Sequence, residues 1–178
     1  MIFTDTDVKD AFVTDLEMIE DERGFFARAW CAREFSDHGL ENRIAQCNTS
    51  SNKRRGTIRG MHLQKPPHEQ VKMIRCIRGA LYDVIIDLRA DLPIYKRWFG
   101  VELTQENRKM LYVPSGFAHG FQTMSDDTEA FYMVSEFYTP GAEAGARWDD
   151  PTFSIEWPLG SPTEISEKDA SWPDFSPE

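Results

Sequence analysis

An alternation of apolar and polar residues dominates the middle of the chain and predicts β-strands. In LYDVIIDLR (81–89) the odd-numbered positions would lie on one face of a strand and the even-numbered positions on the other. VKMIRCIRG ends in a glycine, which predicts a hairpin that turns at Arg78 and Gly79. KMLYVP stops at Pro114, and EAFYMVSEFYTP (129–140) is predicted as one further strand closed by a Pro-Gly pair.

Helical signals are weak by comparison. One short helix is predicted from Ala32 to His38 and one helical turn from Ser166 to Ala170, with Ser166 as its N-cap. The chain has no internal repeat, low-complexity tract or linker, so residues 1–178 are predicted to form a single domain. Many short strands at near-regular spacing predict an all-β protein, most simply a jelly roll, with a few short peripheral helices.

Composition and charge narrow the class of partner. With 40% apolar residues in 178, including twelve Phe and five Trp, the chain is long and apolar enough to bury a core. A net charge of −10 argues against nucleic acid or an anionic membrane as partner. The first ten residues carry no secretory pattern and no apolar run is long enough to span a membrane, so we expect a cytoplasmic protein. The three cysteines have no CxxC spacing, which argues against a disulfide framework and a thiolate zinc site.

The positive charges are concentrated in one part of this acidic chain. Between Lys53 and Arg78 there are eight basic residues and a single acid, a distribution that predicts a small anionic ligand. Arg59 offers a bidentate fork that suits a diphosphate. Lys72 shares its strand face with apolar neighbours and is therefore predicted to point inward, where a lysine is costly unless it meets an anion.

Two of the four histidines stand in settings that suit chemistry. His119, in PSGFAHG, has the spacing of the second metal motif of metal-binding cupins, and His62 stands where the first motif begins. The first motif is incomplete, because Gln64 replaces its second histidine before Glu69, and glutamine is a poor nitrogen donor to a transition metal. A lumen histidine that is not a ligand is free to act as a base.

Two tyrosines could complete an acid–base set. Tyr132 and Tyr138 have the same parity on their predicted strand, so both are predicted to face the same lumen. A phenol can return a proton to a carbon that a base has deprotonated. The alternative is that both rings fill the core with satisfied hydroxyl groups.

Taken together, eight segments in the same order resemble the dTDP-4-dehydrorhamnose 3,5-epimerase family over almost the whole chain. They are DERGFF (21–26), QCNTS (46–50), RGMHLQ (59–64), EQVKMIRCIRG (69–79), YDVIIDLR (82–89), PSGFAHGF (114–121), EAFYMVSEFYTP (129–140) and IEWP with SEKD (155–158, 166–169). The resemblance implies a cupin-type jelly roll (a double-stranded β-helix) that acts as a homodimer without metal or cofactor. It also implies the substrate, a nucleotide-linked 4-keto-6-deoxy sugar inverted at carbon 3, carbon 5 or both, in deoxysugar and lipopolysaccharide biosynthesis.

The resemblance also implies residue roles. His62 would be the general base and Asp169 the carboxylate that orients it, Lys72 the cation facing the enolate oxygen, and Tyr132 the acid on the opposite face. The implied substrate-binding residues are Arg23, Gln46, Asn48, Arg59, His119, Glu143 and Lys168, together with Tyr138, which would stack on the nucleotide base.

One substrate-binding position departs from the family pattern. Arg28 stands where the family usually has a glutamate that helps to hold the thymine, and swapping an acceptor for a cation should change the base edge that is recognised. Thymidine is the first expectation, and a cytidine- or other nucleotide-linked sugar is the alternative. Two alternatives of other classes are a metal-dependent cupin enzyme using His62, Glu69 and His119, and a binding protein without catalysis.

Overall fold

A computed structural model describes residues 1–176 of the chain as strands in two main sheets with two short helices. The strands are β1 (Ile2–Asp5), β2 (Phe12–Asp15), β3 (Ile19–Asp21), β4 (Gly24–Phe26), β5 (Gln46–Asn52), β6 (Ile58–Gln64), β7 (Lys72–Arg78), β8 (Ala80–Asp87), β9 (Trp98–Thr104), β10 (Met110–Val113), β11 (Phe117–Thr123), β12 (Thr128–Val134) and β13 (Glu143–Gly145). The helices are α1 (Ala32–Asp37) and α2 (Glu167–Ala170).

The strands form two antiparallel sheets and a separate hairpin. The six-stranded sheet has the order β1-β2-β10-β7-β12-β5, and the five-stranded sheet has the order β13-β6-β11-β8-β9. Within residues 1–176, strands β3 and β4 pair only with each other. This arrangement confirms the predicted all-β jelly roll with a few short helices.

Strand β8 shows that both faces of the five-stranded sheet are buried. Leu81 and Ile85 are fully buried between the two sheets, in a cluster that also contains residues of β7, β10 and β12. Val84 and Ile86 point to the other face, where the segment that carries Phe153 covers them. The predicted alternation along this strand is therefore confirmed, with both of its faces buried.

Two strand predictions were wrong. The chain does turn at Gly79, whose φ of +73° suits glycine, but β7 and β8 do not pair, because each enters a different sheet. The predicted strand 129–140 ends at Val134, beyond which a loop leaves the sheet. Alternation alone could not reveal either change, since a strand can continue, end or cross to the facing sheet with the same apolar pattern.

The two helices occur where the sequence predicted them, although only the second has a side-chain N-cap. Helix α1 covers Ala32–Asp37 and buries Phe35 completely. Helix α2 begins after Ser166, whose hydroxyl accepts a hydrogen bond from the Asp169 N–H, as an N-cap serine does. This single turn of helix carries two of the predicted site residues, Lys168 and Asp169. Neither helix of residues 1–176 is long and apolar enough to cross a membrane.

A close approach of two glycines sets the spacing of the histidine strands. Gly60 on β6 has a φ of +124°, and a Cβ placed there would collide with the Cα of Gly120 on β11. Because neither residue has a side chain, the two strands can pack closely here. The next part of the ladder then places His62 directly opposite His119.

Candidate active site

A cavity of about 690 Å³ lies between the two sheets and opens to solvent. Its volume is in the range of pockets that take small organic ligands. All the predicted site residues line it except Asp169, Arg23 and Arg28. The lining residues come from β5, β6, β7, β11, β12 and β13, from α2, and from the loop after β12. The predicted set is therefore mostly one site, and the three exceptions have different explanations.

His62 and Asp169 form a hydrogen-bonded pair at the cavity wall. The Nε2 of His62 lies 2.6 Å from Oδ1 of Asp169. A carboxylate can only accept, so Nε2 of the ring carries the hydrogen and donates it. In a neutral ring Nδ1 is then the nitrogen without a hydrogen, and it is the atom able to take a proton from a ligand.

Asp169 lies behind His62 and not in the cavity lining, which suits an orienting role. It is 5% exposed, and its Oδ2 accepts from the backbone N–H of Gly60 at 3.2 Å. Burial by itself raises the pKa of this carboxyl, but hydrogen bonds from His62, Gly60 and Ser166 and the charge of His62 lower the pKa overall. The carboxylate form, which the orienting role needs, is therefore the favoured one.

Lys72 brings a buried amine into the same cavity. It is 8% exposed, and its ammonium donates a 2.9 Å hydrogen bond to the backbone carbonyl of His62. Burial lowers its pKa to about 8, and the charge of Asp83 opposes part of that shift. Near neutral pH the amine is still mostly protonated, and its remaining N–H groups can stabilise negative charge on a ligand oxygen.

Tyr132 lies on the sheet opposite His62. Tyr132 is on β12 of the six-stranded sheet, which pairs with β7, the strand of Lys72, whereas His62 is on β6 of the five-stranded sheet. Since both side chains line the cavity between the sheets, a ligand held there lies between an imidazole and a phenol. This arrangement allows proton removal on one face of a carbon and proton delivery on the other.

His119 is held by a buried acid that the sequence analysis did not single out. Its Nε2 lies 2.8 Å from Oδ1 of Asp83, which is fully buried on β8. The signal in the sequence was an aspartate between Leu81 and Ile85 on the inner face of β8, which Asp87 also shares at the end of the strand. A buried carboxylate on an apolar strand face needs a partner, and that partner is a cavity residue.

The outer part of the cavity carries a small polar cluster. Oε1 of Glu143 accepts from the Tyr138 hydroxyl at 2.8 Å and from the Lys168 ammonium at 2.6 Å. These contacts lower the pKa of Glu143 and raise the pKa values of Tyr138 and Lys168. Tyr138 is 57% exposed, so one face of its ring is free to stack on a planar group.

The loop that carries Tyr138 is tied down by two glutamines. Gln64 is buried; its Oε1 accepts from the Thr139 N–H at 2.7 Å and its Nε2 donates to the Phe137 carbonyl at 3.1 Å. Gln46 accepts from the Tyr138 N–H at 2.7 Å. The glutamine that replaces a histidine of the metal motif therefore fixes this loop. Tyr138 faces the cavity although its predicted strand has already ended.

Positive charge and hydrogen-bond donors meet on the β5–β6 side of the cavity. The Nε of Arg59 donates to Oδ1 of Asn52 at 2.6 Å, which fixes the direction of the guanidinium. Asn48 lines the same wall from β5. An oriented guanidinium beside amide donors is suited to bind phosphate oxygens.

Arg23 and Arg28 lie away from this cavity. Arg23, in the β3–β4 hairpin, is 89% exposed in its side chain and pairs with Asp21 at 2.5 Å. Arg28 follows the hairpin and pairs with Glu34 at 3.1 Å. The sequence gives residue types but not the direction in which a small hairpin projects, so it could not separate these two from the cavity residues.

Trp172 is another cavity residue that the sequence analysis missed. It follows α2 and lines the cavity, with its indole against Gly145, where any Cβ would clash with the ring. Gly145 is the ladder partner of His62. The only signal for Trp172 in the sequence is its position three residues after Asp169.

The donors required for a metal-dependent enzyme are not assembled. Glu69 is exposed in the connection after β6, while His62 and His119 each use Nε2 on a carboxylate. In the described residues 1–176, no three side chains among His, Cys, Asp and Glu come together as metal ligands. The residues present suit acid–base chemistry better than metal coordination.

Comparison with known proteins identifies the type of this site. Residues 5–177 match the family model described as dTDP-4-dehydrorhamnose 3,5-epimerase. A dTDP-4-dehydrorhamnose 3,5-epimerase of Methanothermobacter thermautotrophicus is 41% identical over 172 residues, covering 96% of this chain and 92% of that protein. The crystal structure of the Bacillus anthracis enzyme of the same name, with TDP and PPi bound, has a TM-score of 0.93 and 38% identity, covering 98% of this chain and 99% of the other. The Legionella pneumophila RmlC structure, in complex with dTDP-4-keto-L-rhamnose, has a TM-score of 0.89 and 32% identity. The match covers 96% of this chain and 90% of the Legionella chain.

Proposed function

The chain belongs to the dTDP-4-dehydrorhamnose 3,5-epimerase family, and on this premise we propose that it converts dTDP-4-dehydro-6-deoxyglucose to dTDP-4-dehydrorhamnose. The proposed enzyme is an isomerase that inverts carbons 3 and 5 of the sugar and uses no metal or organic cofactor. The observation that carries the proposal is that a buried amine, an imidazole and a phenol line one cavity, with the imidazole and the phenol on opposite sheets.

In the proposed reaction His62 removes the hydrogen of the carbon beside the ketone. Nδ1 takes the proton, and Asp169 supports the imidazolium that forms. The electron pair of the broken C–H bond moves into an enolate, whose charge on the carbon-4 oxygen meets the Lys72 ammonium. Tyr132 then gives its proton to the same carbon from the other face, and the C–H bond is re-formed with inverted configuration. The phenolate then takes up a proton from water and the His62 imidazolium returns one to water, which restores both groups without any oxidant or reductant.

The rest of the cavity supplies binding groups for the nucleotide part. Arg59 and Asn48 suit the diphosphate, and His119 gives a further polar contact. Gln46 lies at the other end of β5, beside the Tyr138 loop, and contributes to the binding of the nucleotide there. Tyr138 stacks on the base, with Glu143 and Lys168 beside it. A protein that only bound the sugar nucleotide would need these groups but would not need a base, a cation and an acid around one carbon.

We propose that the protein is a homodimer in which the β3–β4 hairpin meets the partner subunit. The large apolar side chains of this region are unusually exposed, with Ile19 and Phe26 both at 69%. Such a patch favours association with another surface. In the proposed dimer Arg23 and Arg28 reach the cavity of the partner subunit, which gives them a substrate-binding role that they lack within one chain.

Residues 1–178 act as a single cupin-type domain, in the cytoplasm, on a substrate made for deoxysugar synthesis such as that of lipopolysaccharide. Nucleic acid and membranes are not partners, in keeping with the net charge of −10.

The test of the proposed function is proton NMR in heavy water. The enzyme is offered the dTDP-linked and the CDP-linked 4-keto-6-deoxyglucose in separate samples. We expect deuterium at carbons 3 and 5 and the rhamno product with the dTDP-linked sugar. Faster conversion of the CDP-linked sugar would replace the nucleotide assignment, and no exchange with either sugar would overturn the epimerase proposal.

A further inference from the structure

Asp83 is a charged residue beside the cavity that has no place in the reaction described so far. It is fully buried on β8, and its ladder partner on β11 is Phe121, which lines the cavity. Burying a carboxylate is costly unless other groups compensate for its lost hydration. The groups that compensate for Asp83 therefore show what it does.

One oxygen of Asp83 has a clear partner. Its Oδ1 accepts a hydrogen bond from Nε2–H of His119 at 2.8 Å, and the side chain of His119 is 11% exposed. This contact fixes the tautomer and the direction of the His119 ring. It repeats, on the neighbouring strand, the relation between Asp169 and His62.

The other oxygen has no such partner. Among residues 1–176, no hydrogen bond to Oδ2 of Asp83 is formed, although the atom is buried. Asp83 lies between Leu81 and Ile85 on the inner face of β8, and these two residues pack against the face of β7 that carries Lys72. Lys72 is buried there and lines the cavity. The negative charge of Asp83 raises the pKa of Lys72 and opposes the lowering caused by burial. Asp83 and Lys72 are thus two buried groups of opposite charge that approach the same interior from different sheets.

We propose that Asp83 is a positioning residue for the epimerisation: one oxygen orients His119, and the second supplies the negative charge that balances the Lys72 ammonium across the cavity. This inference rests on the proposed function for its catalytic meaning. The balance of charge is itself a property of the protein without substrate.

Several other charged or titratable groups share the cavity and could also act on Lys72. They are Arg59 and His62 on β6, His119 on β11, Tyr132 on β12, Tyr138 in the following loop, Glu143 on β13 and Lys168 on α2, with Asp169 behind His62. Glu143 is engaged by Lys168 and Tyr138, and Asp169 by His62. In the described part of the chain the second oxygen of Asp83 stays uncommitted, so the titration of Lys72 should depend on Asp83 most.

The direct test is an NMR titration of Lys72 in the unliganded protein. The Cε signal of Lys72 is assigned by its loss in Lys72→Arg and followed with pH in the wild type and in Asp83→Asn. The asparagine keeps an oxygen that can accept from His119 but removes the charge. We expect the midpoint of Lys72 to fall by about one pH unit, as loss of a nearby opposite charge does. An unchanged or higher midpoint would overturn the inference.

Asp87→Asn is the matched control. Asp87 is equally buried on the same strand, but its charge is already paired with Arg89, at 2.6 Å. This variant should leave the midpoint of Lys72 in place. A fall as large as that in Asp83→Asn would mean that any buried charge on β8 has the effect, which also contradicts the proposal.

A second measurement needs no change at Asp83. In the wild type, the carboxyl carbon of Asp83 should show a small shift with the midpoint of Lys72, and this shift should vanish in Lys72→Met. Its absence in the wild type would count against the pairing even if Asp83→Asn failed to fold.

Turnover separates the inference from the proposed function. In Asp83→Asn the alkaline limb of kcat/KM should move to lower pH by the same amount as the Lys72 midpoint, with little change in KM. Asp83→Ala, which also releases His119, should raise KM in addition. If the wild type catalyses no solvent exchange, the proposed function fails, whereas the titration of Lys72 still decides the role of Asp83.

Discussion

The ammonium of Lys72 donates a 2.9 Å hydrogen bond to the backbone carbonyl of His62. Lys72 belongs to the six-stranded sheet and His62 to the five-stranded sheet, so this bond joins the two sheets at the proposed cation and the proposed base. Both residues lie on strands, which hold catalytic groups more rigidly than loops do. The distance between charge stabilisation and proton removal is therefore set by the sheet framework.

The buried amine predicts an alkaline limit to activity. Its pKa is lowered to about 8, and the charged form is the one that stabilises the enolate oxygen. As the pH rises through about 8 the ammonium loses its proton, so kcat/KM should fall with an apparent pKa near that value. The pH profile of kcat/KM for the wild type measures this. In Lys72→Arg, where the cation stays protonated, any remaining activity should lack this limb, and a persisting limb would assign it to another group.

Removing the amine should abolish turnover and, once the charge of Asp83 is also removed, stabilise the protein. Lys72 binds protons less readily when folded than when unfolded, so its burial opposes folding at neutral pH, and this cost disappears as the pH rises from about 8 towards 10.5. A pKa shift of this size corresponds to about 3 kcal/mol. Lys72→Met alone would also leave the buried Asp83 carboxylate without its opposite charge, so the comparison is made between Asp83→Asn and Lys72→Met/Asp83→Asn. The double variant should have the higher free energy of unfolding at pH 7, by about 3 kcal/mol, measured by denaturant titration.

Lys53→Met is the control for that measurement. Lys53 lies exposed after β5, so its replacement should change stability by less than about 0.5 kcal/mol. A double variant that is less stable than Asp83→Asn would show that the surroundings of the amine stabilise its charge, and that its burial does not oppose folding.

Loss of the hydrogen bonds that hold the Tyr138 loop should weaken binding of the sugar nucleotide more than it slows the chemical step. Gln64→Leu removes the side-chain hydrogen bonds to Thr139 and Phe137 and leaves their backbone groups without these partners. KM for the sugar nucleotide, and the Kd of free dTDP, should rise about tenfold, while kcat changes less. Calorimetry and steady-state kinetics give both values. Gln105→Leu, on the exposed turn after β9, should leave KM unaltered, and a loss confined to kcat in Gln64→Leu would place the defect in the chemical step.

Treatment with a chelator is expected to leave the rate unchanged. The reason is the donor set, since residues 1–176 bring no three metal-ligating His, Cys, Asp or Glu side chains together. Activity is measured before and after dialysis against EDTA, and again after addition of zinc, manganese or iron. A loss that one of these metals restores would favour the metal-dependent alternative.

Most of the fold followed from strand patterning, because a jelly roll is built of short strands with buried faces. The prediction failed where the apolar pattern continues across a change of direction. At Gly79 the chain leaves β7 in one sheet and enters β8 in the other sheet. Strands β1 and β2 were not predicted either. Their four residues each are too short for a clear period.

The site residues could be predicted from the family resemblance and from residue types that are scarce in the sequence. The partners that hold these residues in place could not be predicted, for physical reasons. Lys72 could be recognised as an inward cation because its strand mates are apolar. Asp83, which holds His119, could not be recognised, because a buried acid on an apolar face looks like any polar interruption until its partner is known. Gln64 was noted only as a missing metal ligand, and its bonds to Thr139 and Phe137 emerge from the three-dimensional path of the loop.

The central claim is that His62 and Tyr132 act on opposite faces of the same carbon. The measurement is the rate of deuterium uptake at carbons 3 and 5 compared with the rate of net epimerisation in heavy water, for Tyr132→Phe and His62→Ala. We expect Tyr132→Phe to retain much of the exchange while losing most of the inversion, and His62→Ala to lose both by about a hundredfold or more. Equal loss of exchange and inversion in Tyr132→Phe, or near-normal exchange in His62→Ala, would contradict this claim.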